Sequence, residues 1–321
     1  MKAIELSSGN ARMLISKVVL GTGPFGTGLS EKEAFWQMDA YLNAGGVTLD
    51  TARVYGQWAP GGDGASEKCI GRWIAERKCR NKVFLSTKGA HPELADIHSS
   101  RMNRENIVQD LNESLAFLQC DYVDLYFLHR DDTTKSVSFI MDVLDEQVKA
   151  GKIRFLGASN WTKSRIDEAN AYAVANGKTP FSVSQIQWSL ADVKPDAGLD
   201  DTLVQMNKSE YDAYLKNPLP VMAFSSQARG FFPKFLMEGE QIADHLRQAY
   251  DCEKNIMRCR RAEELAASKQ VPVSAVVLAA ITCNPLEGAA IIGASRREQL
   301  ADTLSGCDLE LSQQEIAYLW G

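Results

Sequence analysis

Val83-Phe84-Leu85-Ser86-Thr87-Lys88 and Val123-Asp124-Leu125-Tyr126-Phe127-Leu128-His129, separated by an amphipathic stretch over 103–118, decide the fold. Each apolar run is short and lacks a clean alternation, the pattern of a strand buried on both faces of a parallel sheet. The helical pattern between them makes one strand–helix–strand unit. Working outward, the unit recurs. Further runs lie at 17–20, 46–49, 153–158, 183–187, 220–224 and 289–292, with amphipathic stretches at 31–44, 66–78, 136–150, 163–176 and 273–283. Capping boxes Ser30-x-x-Glu33, Ser295-x-x-Glu298 and Ser312-x-x-Glu315 open helices. Eight strands, each followed by helical pattern, predict an α/β fold, a (β/α)8 TIM barrel forming a single domain over 1–321. A charged helical pattern around 235–270 exceeds what one repeat needs, and no Pro/Gly/Ser-rich linker divides the chain.

The 321 residues carry 35 Lys+Arg against 41 Asp+Glu, a net charge of −6. That balance argues against nucleic acid, whose phosphates are held mainly by clustered Lys and Arg. The basic run Arg258-Cys259-Arg260-Arg261 reads as a solvated helix face. No segment approaches the ~18 uninterrupted apolar residues of a membrane span, and the first residues lack a signal-peptide core. Seven scattered cysteines without a C-x-x-C pair suit reduced thiols. A cytoplasmic protein is expected. The four histidines form no H-E-x-x-H, so no metal site is expected. No stripe in the sequence favours a monomer over a larger assembly.

In a parallel barrel the carboxyl ends of the strands converge on one mouth. The second strand ends in Asp50, with Tyr55 in the following loop; the third ends in Lys88 and the fourth in His129. Singly, Asp50 reads as a turn cap, Tyr55 as a loop aromatic and His129 as a satisfied strand-end histidine. Lys88 is harder to dismiss, because a lysine finishing an apolar strand needs an anionic partner or loses its proton. Together the four have a chemical logic. A phenol is a weak acid at neutral pH, and a buried ammonium beside Tyr55 would favour phenolate and ease proton release. Asp50 would keep Lys88 charged, and His129 would orient a substrate carbonyl. That is half of a carbonyl reduction. The other half is a hydride, which no side chain supplies, so a nicotinamide cofactor is implied.

The segments Asp50-Thr51-Ala52-x-x-Tyr55-Gly56, Ser66-Glu67 before Ile70-Gly71, Ser86-Thr87-Lys88, Asp124-Leu125-x-x-x-His129 and Gly157-x-Ser159-Asn160 resemble the signatures of the aldo-keto reductases. Phe224-Ser225-Ser226-Gln227-Ala228-Arg229-Gly230 is similar to that family's Tyr-Ser-Pro-Leu-Ala-Arg-Gly turn, and Ile292-Gly293-Ala294-Ser295 with Gln299-Leu300 to its closing cofactor motif. The resemblance implies a barrel binding extended NADPH, with Tyr55 as general acid tuned by Lys88 and Asp50. It implies that Ser159, Asn160 and Gln185 bind the nicotinamide carboxamide and that Phe224, where the family usually has tyrosine, stacks on the ring. Ser225 and Arg229 would contact the pyrophosphate, and Gly293, Ser295, Arg296 and Gln299 the adenosine end. Gly293 and Thr303 depart from the family's usual basic residue and asparagine, which leaves NADH open beside NADPH; Arg296 and Arg297 offer a 2′-phosphate site.

Gly21-Thr22-Gly23-Pro24-Phe25-Gly26 superficially matches the dinucleotide fingerprint G-x-G-x-x-G. That motif needs its glycines at a helix start, whereas the capping box places the start at Ser30. The segment instead reads as a first strand-end loop. Phe25, Trp58 and Trp161 are candidates to line the pocket of a small-molecule carbonyl substrate. Trp188, Phe231 and Phe232 divide between pocket and core, and Arg130-Asp131-Asp132 reads as a solvated loop or a polar substrate contact. A rival reading is a cofactor-binding regulatory or assembly subunit with little turnover, which the complete Asp–Tyr–Lys–His set disfavours.

Overall fold

Eight parallel strands close on themselves in the computed structural model, which describes residues 1–9, 11–195, 197–198 and 200–321. A hairpin precedes them, β1 (Ala3–Ser8) and β2 (Ala11–Ser16). The barrel strands are β3 (Val18–Gly21), β4 (Thr48–Asp50), β5 (Phe84–Gly89) and β6 (Val123–Leu128), then β7 (Ile153–Ser159), β8 (Phe181–Gln187), β9 (Val221–Phe224) and β10 (Gly288–Ile292). Each pairs with the next in sequence, and β10 returns to β3. The (β/α)8 expectation holds, and every strand expected from its apolar run is present.

Helices α1 (Glu31–Asn43), α2 (Ala65–Arg77), α3 (Arg104–Leu118), α4 (Val137–Lys149), α5 (Lys163–Ala175) and α6 (Lys208–Lys216) follow β3 to β8 in turn. Four helices separate β9 from β10: α7 (Phe231–Glu238), α8 (Asp244–Tyr250), α9 (Glu253–Lys269) and α10 (Val273–Thr282). The charged pattern near 235–270 is this excursion. The chain ends in α11 (Arg297–Ser305) and α12 (Gln313–Trp320). Ser30 caps α1 by accepting from Glu33 N at 3.3 Å, so α1 begins where the box placed it and not at the glycines. Ser312 and Glu315 form the box that opens α12. At α11 the expected Ser295–Glu298 box does not form: the helix starts one residue later, and Gln299 Oε1 accepts from Ser295 N, Ser295 Oγ and Arg296 N at 3.0–3.2 Å, while the Arg296 side chain has no acceptor to offer in return.

The barrel interior is filled by inward residues such as Phe84, Leu125, Phe127, Phe155 and Met222. Gly157 makes room for one of them: a Cβ there would stand 2.3 Å from the Phe127 ring. The β1–β2 hairpin seals the amino end. Its Ile4, Leu6 and Ile15 join the interior core, and Ser16 N donates to Thr48 Oγ1 at the first residue of β4 (3.0 Å). Asp124 lies at the same end, where its carboxylate accepts from Leu85 N (2.9 Å), Arg80 (2.8 Å) and Arg154 (2.9 Å). Among the described residues, no single helix is long and apolar enough to cross a membrane.

Candidate active site

At the opposite, carboxyl end, β4 finishes in Asp50 and β5 carries Lys88, and both side chains are buried. Lys88 Nζ donates to Asp50 Oδ2 (2.7 Å), to Thr51 O (2.7 Å) and to Tyr55 Oη (3.2 Å). Burial works against the ammonium, but the Asp50 carboxylate and the Tyr55 oxygen outweigh it and raise the Lys88 pKa above the ordinary lysine value. Asp50 Oδ1 accepts from Ser86 Oγ (2.8 Å) and from Gln185 Nε2 (3.0 Å), which fixes the carboxylate from the other side. Tyr55 is half-buried, and the chain doubles back immediately after it. Gly56 has φ 102°, and a Cβ there would stand 2.5 Å from Gly62 O, so only glycine suits the turn.

The His129 ring meets Tyr55 edge-on with centroids 6.0 Å apart. Burial, helped by His91, Arg130 and Lys88, holds its pKa well below the ordinary imidazole value, so the ring is neutral. Its Nδ1 is buried without a hydrogen-bond partner among the described residues. His91, which the sequence reading passed over, packs against His129 with ring centroids 4.7 Å apart. Its Nδ1 lies 2.8 Å from Pro92 O, and burial lowers its pKa too.

The residues expected to bind cofactor fall into two groups. Ser159, Asn160 and Gln185 sit at the ends of β7 and β8 beside the tetrad. Asn160 Nδ2 donates to His129 O and to Ser159 Oγ, each at 3.1 Å. Ser225, Arg229, Gly293, Ser295, Arg296 and Gln299 line a cleft of about 670 Å³. Phe224, half-buried at the end of β9, directly precedes Ser225 and so lies between the groups in sequence. The cleft has the features of a dinucleotide cradle. Gly23 and Gly293 line it with no atom within 4 Å of where a Cβ would stand. Ser225, Ala228 and Arg229 all hold left-handed backbone, with φ of 52°, 49° and 54°, which residues other than glycine adopt uncommonly.

Two pocket expectations need correction. Phe25 is fully buried in the core, because its turn closes with Phe25 N donating to Thr22 O (3.0 Å) and folds the ring inward. Trp161 is fully buried too, with Nε1 donating to Arg130 O (3.1 Å), its ring edge-on to Phe181 and Arg165 over its face. Trp188, Phe231 and Phe232 are likewise core residues. Trp58 differs. It is 57% exposed, and its ring centroid lies 6.1 Å from that of Tyr55. Arg130 is tied to Asp200 and Thr202, and Asp131 to Arg165, and the run Arg130–Asp132 lines a second, smaller cavity. Arg297 pairs with Glu33 and stacks on Trp36, which leaves Arg296 as the arginine of the pair that lines the cleft.

The profile of the Aldo/keto reductase family matches residues 17–320. The chain belongs to that family. Among similar proteins is norsolorinic acid reductase of Aspergillus flavus, 28% identical, with the match covering 97% of this chain and 79% of that protein. The uncharacterized oxidoreductase YrpG of Bacillus subtilis is 27% identical over 97% of this chain and 93% of its own length. A putative aryl-alcohol dehydrogenase of Saccharomyces cerevisiae, AAD14, is 24% identical over 98% and 85% respectively. As an aldo/keto reductase the protein is an oxidoreductase of carbonyl groups, and the family works with a nicotinamide cofactor.

Proposed function

We propose that this aldo/keto reductase reduces an aldehyde or ketone to the alcohol with NADPH in the cytoplasm, and that Tyr55 donates the proton. The observation that carries the reading is the position of Lys88 Nζ, 2.7 Å from Asp50 Oδ2 and 3.2 Å from Tyr55 Oη. As the phenol proton leaves for the carbonyl oxygen, negative charge develops on Tyr55 Oη, and the buried ammonium stabilises it. Asp50 holds that ammonium in place and keeps it charged. His129, neutral, donates a hydrogen bond from its ring N–H to the carbonyl oxygen and orients it; it is not the acid, because its pKa lies too low. A nicotinamide held beside these residues would supply the hydride to the carbonyl carbon.

Ser159, Asn160 and Gln185 would hold the carboxamide, and Phe224 the ring face. The turn at Ser225–Arg229 brings Ser225 and Arg229 to the cleft wall, a setting suited to an anion. Arg296, exposed on the cleft wall, supports a 2′-phosphate and hence NADPH over NADH. Trp58 gives the substrate side an aromatic face beside Tyr55. With relatives named for an aryl alcohol and for norsolorinic acid, aromatic carbonyls lead the substrate classes.

The test is a panel of aromatic aldehydes, aliphatic ketones and sugars with NADPH and with NADH, followed by absorbance of the reduced nicotinamide. Turnover of an aromatic aldehyde with NADPH preferred is expected. Tight NADPH binding with no turnover of any carbonyl would instead favour a regulatory subunit.

A further inference from the structure

The Ser66-Glu67 pair takes no part in the chemistry above, yet α2 carries both residues, fully buried, to the ends of neighbouring strands. Ser66 Oγ lies 2.9 Å from Thr51 Oγ1, 2.8 Å from Thr22 O and 2.9 Å from Thr22 Oγ1. Thr22 Oγ1 donates onward to Asp50 O at 3.0 Å. A carbonyl only accepts, so the protons run one way: Thr51 hydroxyl to Ser66, Ser66 to Thr22, Thr22 to the Asp50 carbonyl. All three hydroxyls are fully buried and none is left without a partner, and each bond polarises the next. Both ends of this chain are fastened to the consecutive residues Asp50 and Thr51. Thr51 O is one of the two acceptors that aim the Lys88 ammonium, at 2.7 Å.

Glu67 acts from the other side. Its Oε1 accepts from Thr87 Oγ1 at 2.6 Å, and Thr87 is the residue directly before Lys88. The first turn of α2 therefore grips an acceptor of the ammonium with one residue and the lysine's chain neighbour with the next. Burial pushes the Glu67 carboxyl up to about 7, so below that pH it holds Thr87 as a neutral acid.

We propose that Ser66 and Glu67 are positioning residues that, through Thr51 and Thr87, hold the Lys88 ammonium against the phenol oxygen of Tyr55. They govern the rate of proton donation and not the binding of cofactor or substrate. The inference rests on the reading of Tyr55 as the acid.

Ser66→Ala, Thr51→Val, the double variant and Tyr55→Phe are compared with wild type in steady-state kinetics, NADPH fluorescence titration and kcat–pH profiles. Ser66→Ala is expected to lower kcat for reduction about tenfold, with NADPH Kd and aldehyde KM within about twofold. The basic limb of its kcat profile moves to higher pH, as a loosened cation would require. Thr51→Val keeps the carbonyl, removes only the hydroxyl and shows the same change in smaller degree; it carries the test if Ser66→Ala fails to fold. The double variant is no worse than Ser66→Ala alone, because both act along one route. Glu67→Ala lowers kcat more than Glu67→Gln, whose amide oxygen still accepts from Thr87.

A lower Tm with kcat and the pH limb unmoved would make the hydroxyl chain merely structural and overturn the proposal. So would a loss lying wholly in KM or Kd. If Tyr55→Phe is inactive while Ser66→Ala keeps wild-type kcat and pH limb, this inference alone fails. If Tyr55→Phe turns over like wild type, the reading of the acid fails and takes this inference with it.

Discussion

The two ends of the barrel each hold a buried carboxylate facing a cation, and they use it differently. At the amino end, Asp124 accepts from Leu85 N, Arg80 and Arg154, and the two guanidiniums both lie over one ring, Tyr122, at 4.2 and 3.9 Å. The donors that reach Asp124 are a main-chain amide and two side chains packed on that ring. At the carboxyl end, Asp50 accepts from Ser86, Gln185 and Lys88, but the ammonium extends the chain of bonds to Tyr55, which is half-buried. The same kind of pair is structural where its bonds end on main chain and fixed side chains. On the proposed function it is reactive where the last bond ends on the hydroxyl of a half-buried tyrosine. A buried ion pair is weak evidence of net stability in either place, but breaking one is costly.

The comparison can be broken from either end. Lys88→Met should lower kcat on the order of a thousandfold, the scale of a disabled general acid. Asp124→Asn should instead cost about 3 kcal/mol in a urea or thermal unfolding curve, by unpairing Arg80 and Arg154, with kcat per folded molecule near wild type. A loss of kcat at Asp124 equal to that at Lys88 would erase the distinction.

The pH dependence sharpens it. Glu67 sits at about 7 in the folded chain against an ordinary value of 4.5, so the folded state keeps a proton that the unfolded chain has released. The stability linked to that proton is fully present below about pH 4.5 and is lost as pH rises through about 7. Glu67→Gln removes this loss. Its unfolding free energy relative to wild type should therefore grow between pH 5 and pH 8, on the order of 2–3 kcal/mol. A difference independent of pH would show that Glu67 is ionised in the fold. Trp58→Ala is the mildest change. It should raise KM for an aromatic aldehyde several-fold and leave NADPH affinity alone.

The barrel was legible because its strands are apolar on both faces, and strands of that kind occur in few architectures. The tetrad was legible for a topological reason: strand ends converge, so Asp50 and Lys88 had to meet if the barrel closed. The β1–β2 hairpin escaped because Ile4 and Leu6 alternate with exposed residues, a pattern that a search for doubly buried runs passes over. Helix α6 escaped because it buries only Tyr214 and so shows no apolar stripe. Phe25 and Trp161 were misplaced because position after a strand end says nothing about which way the loop folds a ring. The hydroxyls of Thr22, Thr51 and Ser66 carry no periodic signal at all; only their three-dimensional meeting marks them. The motif containing Ser66 and Glu67 stood out by resemblance, without a physical reason attached.

The most direct test of the account is the rate of hydride transfer in a single turnover by Tyr55→Phe with NADPH and a good aldehyde, alongside NADPH titration. The account predicts a fall of about a hundredfold to ten-thousandfold with cofactor affinity nearly intact. A variant that reduces the aldehyde at the wild-type rate would contradict it.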